Sequence, residues 1–145
     1  MDNVFSAYMI FMVVASIIIV IFMPLIAHYI APGFTQAQMS LLITTSRIML
    51  ISPIFIGLSN LIGTITQLFR NFLIFSLSPI FYNVGILTGV IFLYPRFGVF
   101  GLALGVIFGA VMHFFVQVPI VVKHGFFPKF HFSINYLFII TMFTF

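Results

Sequence analysis

The chain has 145 residues, 63% of them hydrophobic and 4% charged, with five Lys or Arg against a single acid. A domain that faces water carries about 25% charged residues, so this composition excludes a soluble globular protein and makes lipid the solvent. One carboxylate also excludes paired acid-base chemistry, and without cysteine there are no disulfides and no sign of the redox compartment.

A helix needs about 20 mostly apolar residues to cross roughly 30 Å of hydrocarbon. Four runs qualify and predict spanning helices over about 4–30, 37–69, 72–94 and 99–122. The first is no cleavable signal. It opens on Asp2 rather than a basic region, is too long for a signal's apolar core, and ends in "APGF" (Ala31 to Phe34) without an A-x-A site. Pro24, one turn before His28, removes a backbone bond and predicts a kink. "TQAQ", Thr35 to Gln38, reads as a capping box that starts the second helix. That helix holds Pro53, Gly57 and Gly63, so it is expected to bend or break near the bilayer centre. Arg70 and Asn71 form the turn into the third helix, which contains Pro79 and Asn83, and "YPRFG" (Tyr94 to Gly98) forms the next turn.

The fourth helix ends near Lys123 and His124, which meet the interface. After "PKFHF", the 13 residues from Ser133 to Phe145 are apolar but too short to span, so 133–145 reads as a truncated fifth segment and the chain as cut off there. Connections are short, which predicts an all-α antiparallel bundle with 1–132 as its body. Loops rich in Lys and Arg stay in the cytoplasm. Arg70, Lys123 and Lys129 share the side of the N-terminus and Arg96 stands alone opposite, so the chain is expected to start in the cytoplasm.

In "GLALGVIFGAVMHFFVQ" the glycines Gly101, Gly105 and Gly109 recur every four residues, and His113 and Gln117 continue the step. Four residues turn about 400°, so the series lies on one slowly spiralling ridge. Helices in lipid gain little from burying apolar surface, and small residues there let backbones approach closely. Gly85 and Gly89 on the third helix offer the matching stripe, and helix packing is the expected role of all five glycines. His113 and Gln117 need a partner, because an unpaired polar group in hydrocarbon costs several kcal/mol. Either an interhelical hydrogen bond or a watery cavity would serve.

Arg47 lies about 16 Å along its helix from Gln36, near mid-membrane. An arginine at that depth is a functional candidate. It binds an anionic ligand, or meets an acid outside this chain, or snorkels to the interface. Asn83, four residues after Pro79, is expected to bond carbonyls that the proline frees, with a cavity role as the alternative. The four His are too scattered for a metal site. No G-x-x-x-x-G-K-[ST] nucleotide loop exists, and the scattered basic residues form no nucleic-acid patch. No cofactor is expected and no enzyme.

The order of "APGF", "SRIMLISPIFIGLSNLIGTI", "SPIFYNVGILTGV", "GVFGLALGVIFGAVMHFFVQVPIVVKHGF" and "FPKFHF" resembles the MurJ/MviN lipid II flippases of the multidrug/oligosaccharidyl-lipid/polysaccharide exporter superfamily. The resemblance runs from about Val4 to Phe132 and corresponds to the third to sixth helices of the family's N-terminal lobe. It implies a piece of a two-lobed transporter in the bacterial inner membrane. Such a transporter moves an undecaprenyl-linked anionic precursor to the outer leaflet by alternating access, with the remaining helices as partners. The family's first two helices, with their basic residues, and its second lobe have no counterpart here. "SINYLFIITMFTF" is more apolar than the family's segment at that point. An exporter of O-antigen lipids or drugs, or a non-transporting membrane remnant, are the alternative readings.

Overall fold

The computed structural model describes residues 2–123 and residue 125, with side chains from Ser6 onward. All regular structure among them is helical: α1 (Asp2–Ile30), α2 (Gln36–Met49), α3 (Ser52–Leu68), α4 (Phe72–Thr88), a π-helical turn (Gly89–Leu93), α5 (Tyr94–Phe97), α6 (Val99–Phe115) and α7 (Val118–Lys123). Joined end to end, these make four stretches long and apolar enough to cross a membrane: Ser6–Ile30, Gln36–Leu68, Phe72–Phe97 and Val99–Lys123. The fold is that of an all-α membrane protein, as the composition requires. Lys129, His124 and the segment 133–145 lie outside the described residues.

Local chemistry explains the boundaries. Thr35 caps α2, with Thr35 Oγ1 accepting from the Gln38 amide at 3.4 Å and the Thr35 amide donating to Gln38 Oε1 at 3.0 Å. The second span breaks at Leu50 and Ile51, between α2 and α3. Pro53 has no N–H to give the Met49 carbonyl four residues back, and Ser52 Oγ donates to that carbonyl instead, at 2.8 Å. Between α3 and α4 the chain reverses through a Schellman turn, in which the Asn71 amide donates to Thr66 O and the Arg70 amide to Gln67 O. Arg70 holds the left-handed position of that turn (φ 57°), where glycine is the usual choice.

Two expectations need correction. Tyr94–Phe97 is helical rather than a loop, so the third span runs on to Phe97 and the turn shrinks to Gly98 at φ 58°. Just before it the helix widens into the π turn, closed by the Tyr94 amide on Gly89 O, five residues back. The fourth span is not continuous. Pro119 removes a donor there, α6 stops at Phe115, and α7 resumes at Val118. α1 stays helical through Pro24.

α6 is the hub. It packs against α2, α3, α4, the π turn, α5 and α7, whereas α1 packs mainly against α2 and α3. The widest contact, α4 on α6, is backbone against backbone. A Cβ on Gly85 would strike the Cα of Gly109, one on Gly89 the Cα of Gly105, and one on Gly101 the Leu93 carbonyl. At the end of α7, Val121 packs with Ile62 and Ile65 of α3, flanked by Phe114 and Val118. Replacing Gly85 by alanine in the full-length protein should lower its stability by about 1–3 kcal/mol, the usual cost of overpacking. Gly33→Ala, where nothing lies within 4 Å of the new methyl, should change it by less than about 0.5 kcal/mol. Thermal unfolding in detergent measures both, and equal midpoints for the two variants would remove the close α4–α6 approach from the account.

Candidate functional site

Two polar centres interrupt the apolar bundle. The first is Arg47 on α2. Its Nε donates to the carbonyl of Val20 on α1 at 3.1 Å. That acceptor has a cause: Val20 lies four residues before Pro24, and proline has no N–H with which to pair it. The arginine takes the place of the missing backbone donor. Val20 stands ten residues before the end of α1 and Arg47 eleven after the start of α2, so the two antiparallel helices bring them to one depth, roughly 15 Å from that end.

A guanidinium carries five N–H donors in a rigid fork, and only Nε is used on Val20. The side chain is otherwise exposed and forms no ion pair among the described residues. It stands in a groove of about 220 Å³ whose other walls are Val13, Ser16, Ile17, Ile21, Leu50, Ile51 and Ile54. The groove is thus an almost wholly apolar trough with one cation. Its floor is the break between α2 and α3, which exposes Ile51.

The second centre joins α3 to the end of α6. His113 and Gln117 follow the glycine ridge, and Ser59 of α3 meets them both. Ser59 Oγ lies 2.6 Å from His113 Nδ1 and 3.1 Å from the His113 carbonyl, and Gln117 Nε2 donates to Ser59 Oγ at 2.7 Å. Ser59 and Gln117 are fully buried and His113 is half-buried. The helix break again supplies the reason. Ahead of Pro119 the Gln117 amide turns to Phe114 O, three residues back, so the His113 carbonyl loses its usual i+4 donor. Ser59 takes that vacancy. Gln117 Oε1 is buried without a partner among the described residues and lies against Gly63, where a Cβ would come within 3.0 Å of it. Tyr82 of α4 sets its ring edge to face with the imidazole, centroids 6.3 Å apart.

The sequence-derived candidates therefore separate. His113 and Gln117 come together; Arg47 stands elsewhere, on the α1 side. Asn83 joins neither. It is exposed, and its side chain makes no hydrogen bond with another described residue. The carbonyl that Pro79 frees belongs to Phe75, eight residues and about 12 Å back along the helix, beyond an asparagine's reach. Ser59 was not among the candidates, because a serine within a membrane helix reads as a small packing residue. Its signal was the pair His113 and Gln117 in an apolar span, which calls for a polar partner on a facing helix. Among the described residues no group of three or more His, Cys, Asp or Glu gathers to hold a metal.

Proline-broken spans, glycine contacts and polar groups bonded between helices define a multi-pass α-helical membrane protein. The profile of the family "Lipid II flippase MurJ" matches residues 1–143, and the chain belongs to that family. It is 33% identical over 79 residues to the "Probable lipid II flippase MurJ" of Borreliella burgdorferi, and 32% identical over 81 residues to the "Lipid II flippase MurJ" of Burkholderia cenocepacia. The matched stretches make up 53% and 54% of this chain and 16% of each relative.

Removing the Ser59 hydroxyl would leave Gln117 Nε2 and the His113 carbonyl without their shared partner. Ser59→Ala should cost the full-length protein about 1–3 kcal/mol. Thr44→Ala, which deletes only a local bond to the Ser40 carbonyl on an exposed face, should cost less than about 0.5 kcal/mol. Denaturant titration in mixed micelles compares them, and an undiminished Ser59→Ala protein would show the cluster to be energetically idle.

Proposed function

We propose that this chain is part of the N-terminal lobe of a lipid II flippase, and that Arg47 faces the central cavity and favours the diphosphate of the undecaprenyl-linked precursor. The protein moves that precursor from the inner to the outer leaflet of the bacterial inner membrane, as a transporter and not an enzyme. It works by alternating access with the remaining helices of the full-length protein. The observation that carries this reading is a guanidinium at mid-depth, bonded through Nε to the Val20 carbonyl, in the wall of a groove that holds no other charge. An arginine so placed suits a phosphate group because its planar fork donates in pairs, which a lysine ammonium cannot do. The names of the two relatives favour lipid II over other lipid-linked or drug substrates. Breaks at Leu50–Ile51 and Val116–Gln117 suit a lobe that changes shape between two states.

Complementation of a flippase-depleted strain by the full-length gene tests the assignment. Arg47→Ala should abolish or sharply slow growth while membrane levels on a blot stay near those of the parent. Arg47→Lys should restore only part of it, because lysine keeps the charge and loses the fork. Full growth with Arg47→Ala would rule out the cavity role.

The same reading starts the chain in the cytoplasm, because Arg70 and Lys123 fall at the end of the bundle that holds the start of α1, and Arg96 at the other. A cysteine at Asn71 should then resist a membrane-impermeant thiol reagent added to intact cells, and one at Phe97 should react. The opposite pattern would invert the topology.

A further inference from the structure

The cluster of Ser59, His113 and Gln117 holds more information than its role at the helix break requires, because its hydrogens can be counted. Ser59 Oγ has one proton to give and two lone pairs to receive with. Three groups surround it: His113 Nδ1 at 2.6 Å, the His113 carbonyl at 3.1 Å and Gln117 Nε2 at 2.7 Å. The carbonyl can only accept, so it takes the serine proton. Gln117 Nε2 can only donate, so it uses one lone pair. The remaining lone pair faces His113 Nδ1, which must therefore carry a hydrogen.

The count survives exchange of the amide's oxygen and nitrogen. Gln117 would then also be an acceptor, and the single serine proton would still have none to spare for the imidazole. The alternative ring state, with Nδ1 as acceptor, would set a serine lone pair against the His113 carbonyl at 3.1 Å. That carbonyl would keep only the 3.5 Å contact from Gln117 Nε2, at the limit of a hydrogen bond.

We infer that His113 is a proton-binding site of the fourth span: Ser59 fixes the Nδ1–H tautomer and leaves Nε2 as a basic nitrogen that takes up one proton from water. Uptake forms one N–H bond at Nε2 and turns the neutral ring into an imidazolium. Nδ1 keeps its bond to Ser59, so the cluster accommodates the charge without moving a heavy atom. No hydrogen bond from another described residue reaches Nε2, and the ring is half-buried. His113 sits ten residues before the end of its span, about 15 Å in, a depth at which an ionisable side chain marks an ion or proton path.

The neighbouring elements bring few groups that could compete for the proton. Tyr82 of α4 presents its ring to the imidazole. Arg47 of α2 is turned to Val20, Tyr94 and Arg96 of α5 lie at the far end of α6, and Lys123 closes α7. α3 and the π turn contribute no titratable side chain.

The test reads the ring nitrogens directly and does not depend on which lipid the protein carries. The full-length protein, with ¹⁵N-labelled histidine rings, is reconstituted in lipid bilayers and examined by solid-state NMR. The His113 signals are assigned by their loss in His113→Gln. At about pH 8 the expected spectrum has a protonated Nδ1 and a bare Nε2, and Nε2 gains its proton within the interval from about pH 8 down to about pH 4. Ser59→Ala should release the tautomer and populate the Nε2–H form. An Nε2–H ring in the parent at alkaline pH, or a ring that stays neutral across the whole interval, overturns the inference. An unaltered tautomer in Ser59→Ala overturns the part assigned to serine, and should that variant fail to fold, the parent spectrum alone decides.

Discussion

A carbonyl oxygen inside a bilayer has no water to turn to, and each of the prolines within these spans deprives one of its helical partner. How those oxygens are paired determines which helices are tied together. At Met49 the neighbouring Ser52 supplies a hydroxyl, and the repair stays within the bend. At Val20 the donor comes from another helix, with Arg47 reaching from α2 to α1; the His113 carbonyl, freed by the turn of the Gln117 amide to Phe114 O, is met by Ser59 from α3. Two of the interhelical ties in this bundle are thus repairs of backbone bonds. The residues that make them are placed by breaks in the backbone ladder, at Pro24 and at the turn ahead of Pro119, and not by any charge complement.

The glycine contact supplies the other half of the architecture. Without an apolar driving force between helices, α4 and α6 gain from dispersion and backbone proximity, and Gly85, Gly89, Gly101, Gly105 and Gly109 remove the side chains that would hold them apart. Because α6 also meets α2, α3 and α7, it fixes where His113 and Gln117 lie relative to Ser59. One face of α6 is therefore rigid by contact. Its end is loosened by Pro119 and re-secured by polar bonds.

Much of this was legible in the residues. Composition alone called for spanning helices, the Thr35 capping box marks the start of α2, and the four-residue spacing pointed to the glycine ridge. The interruption of the fourth span was missed because the run 99–122 is apolar throughout, and a single proline near its end looked like a terminator. The π turn goes with the lost donor of Pro95, which the sequence displays, and with the backbone's closeness to Gly101, which only the tertiary structure reveals. Arg47's partner was hidden by a habit of pairing cations with carboxylates. Counting four residues back from Pro24, and matching depths across the α1–α2 turn, leads to the Val20 carbonyl without any structure.

The bond between Arg47 and Val20 also bears on how such a chain enters a membrane. Synthesis runs from the N-terminus, so α1 and its unpaired carbonyl emerge 27 residues ahead of the arginine that will use it. When α2 follows, a residue that costs about 2.5–3.5 kcal/mol at the centre of an inserting helix finds an oxygen acceptor waiting at its own depth. The first span thereby offers the second an acceptor for its one charged residue at the depth where that residue enters.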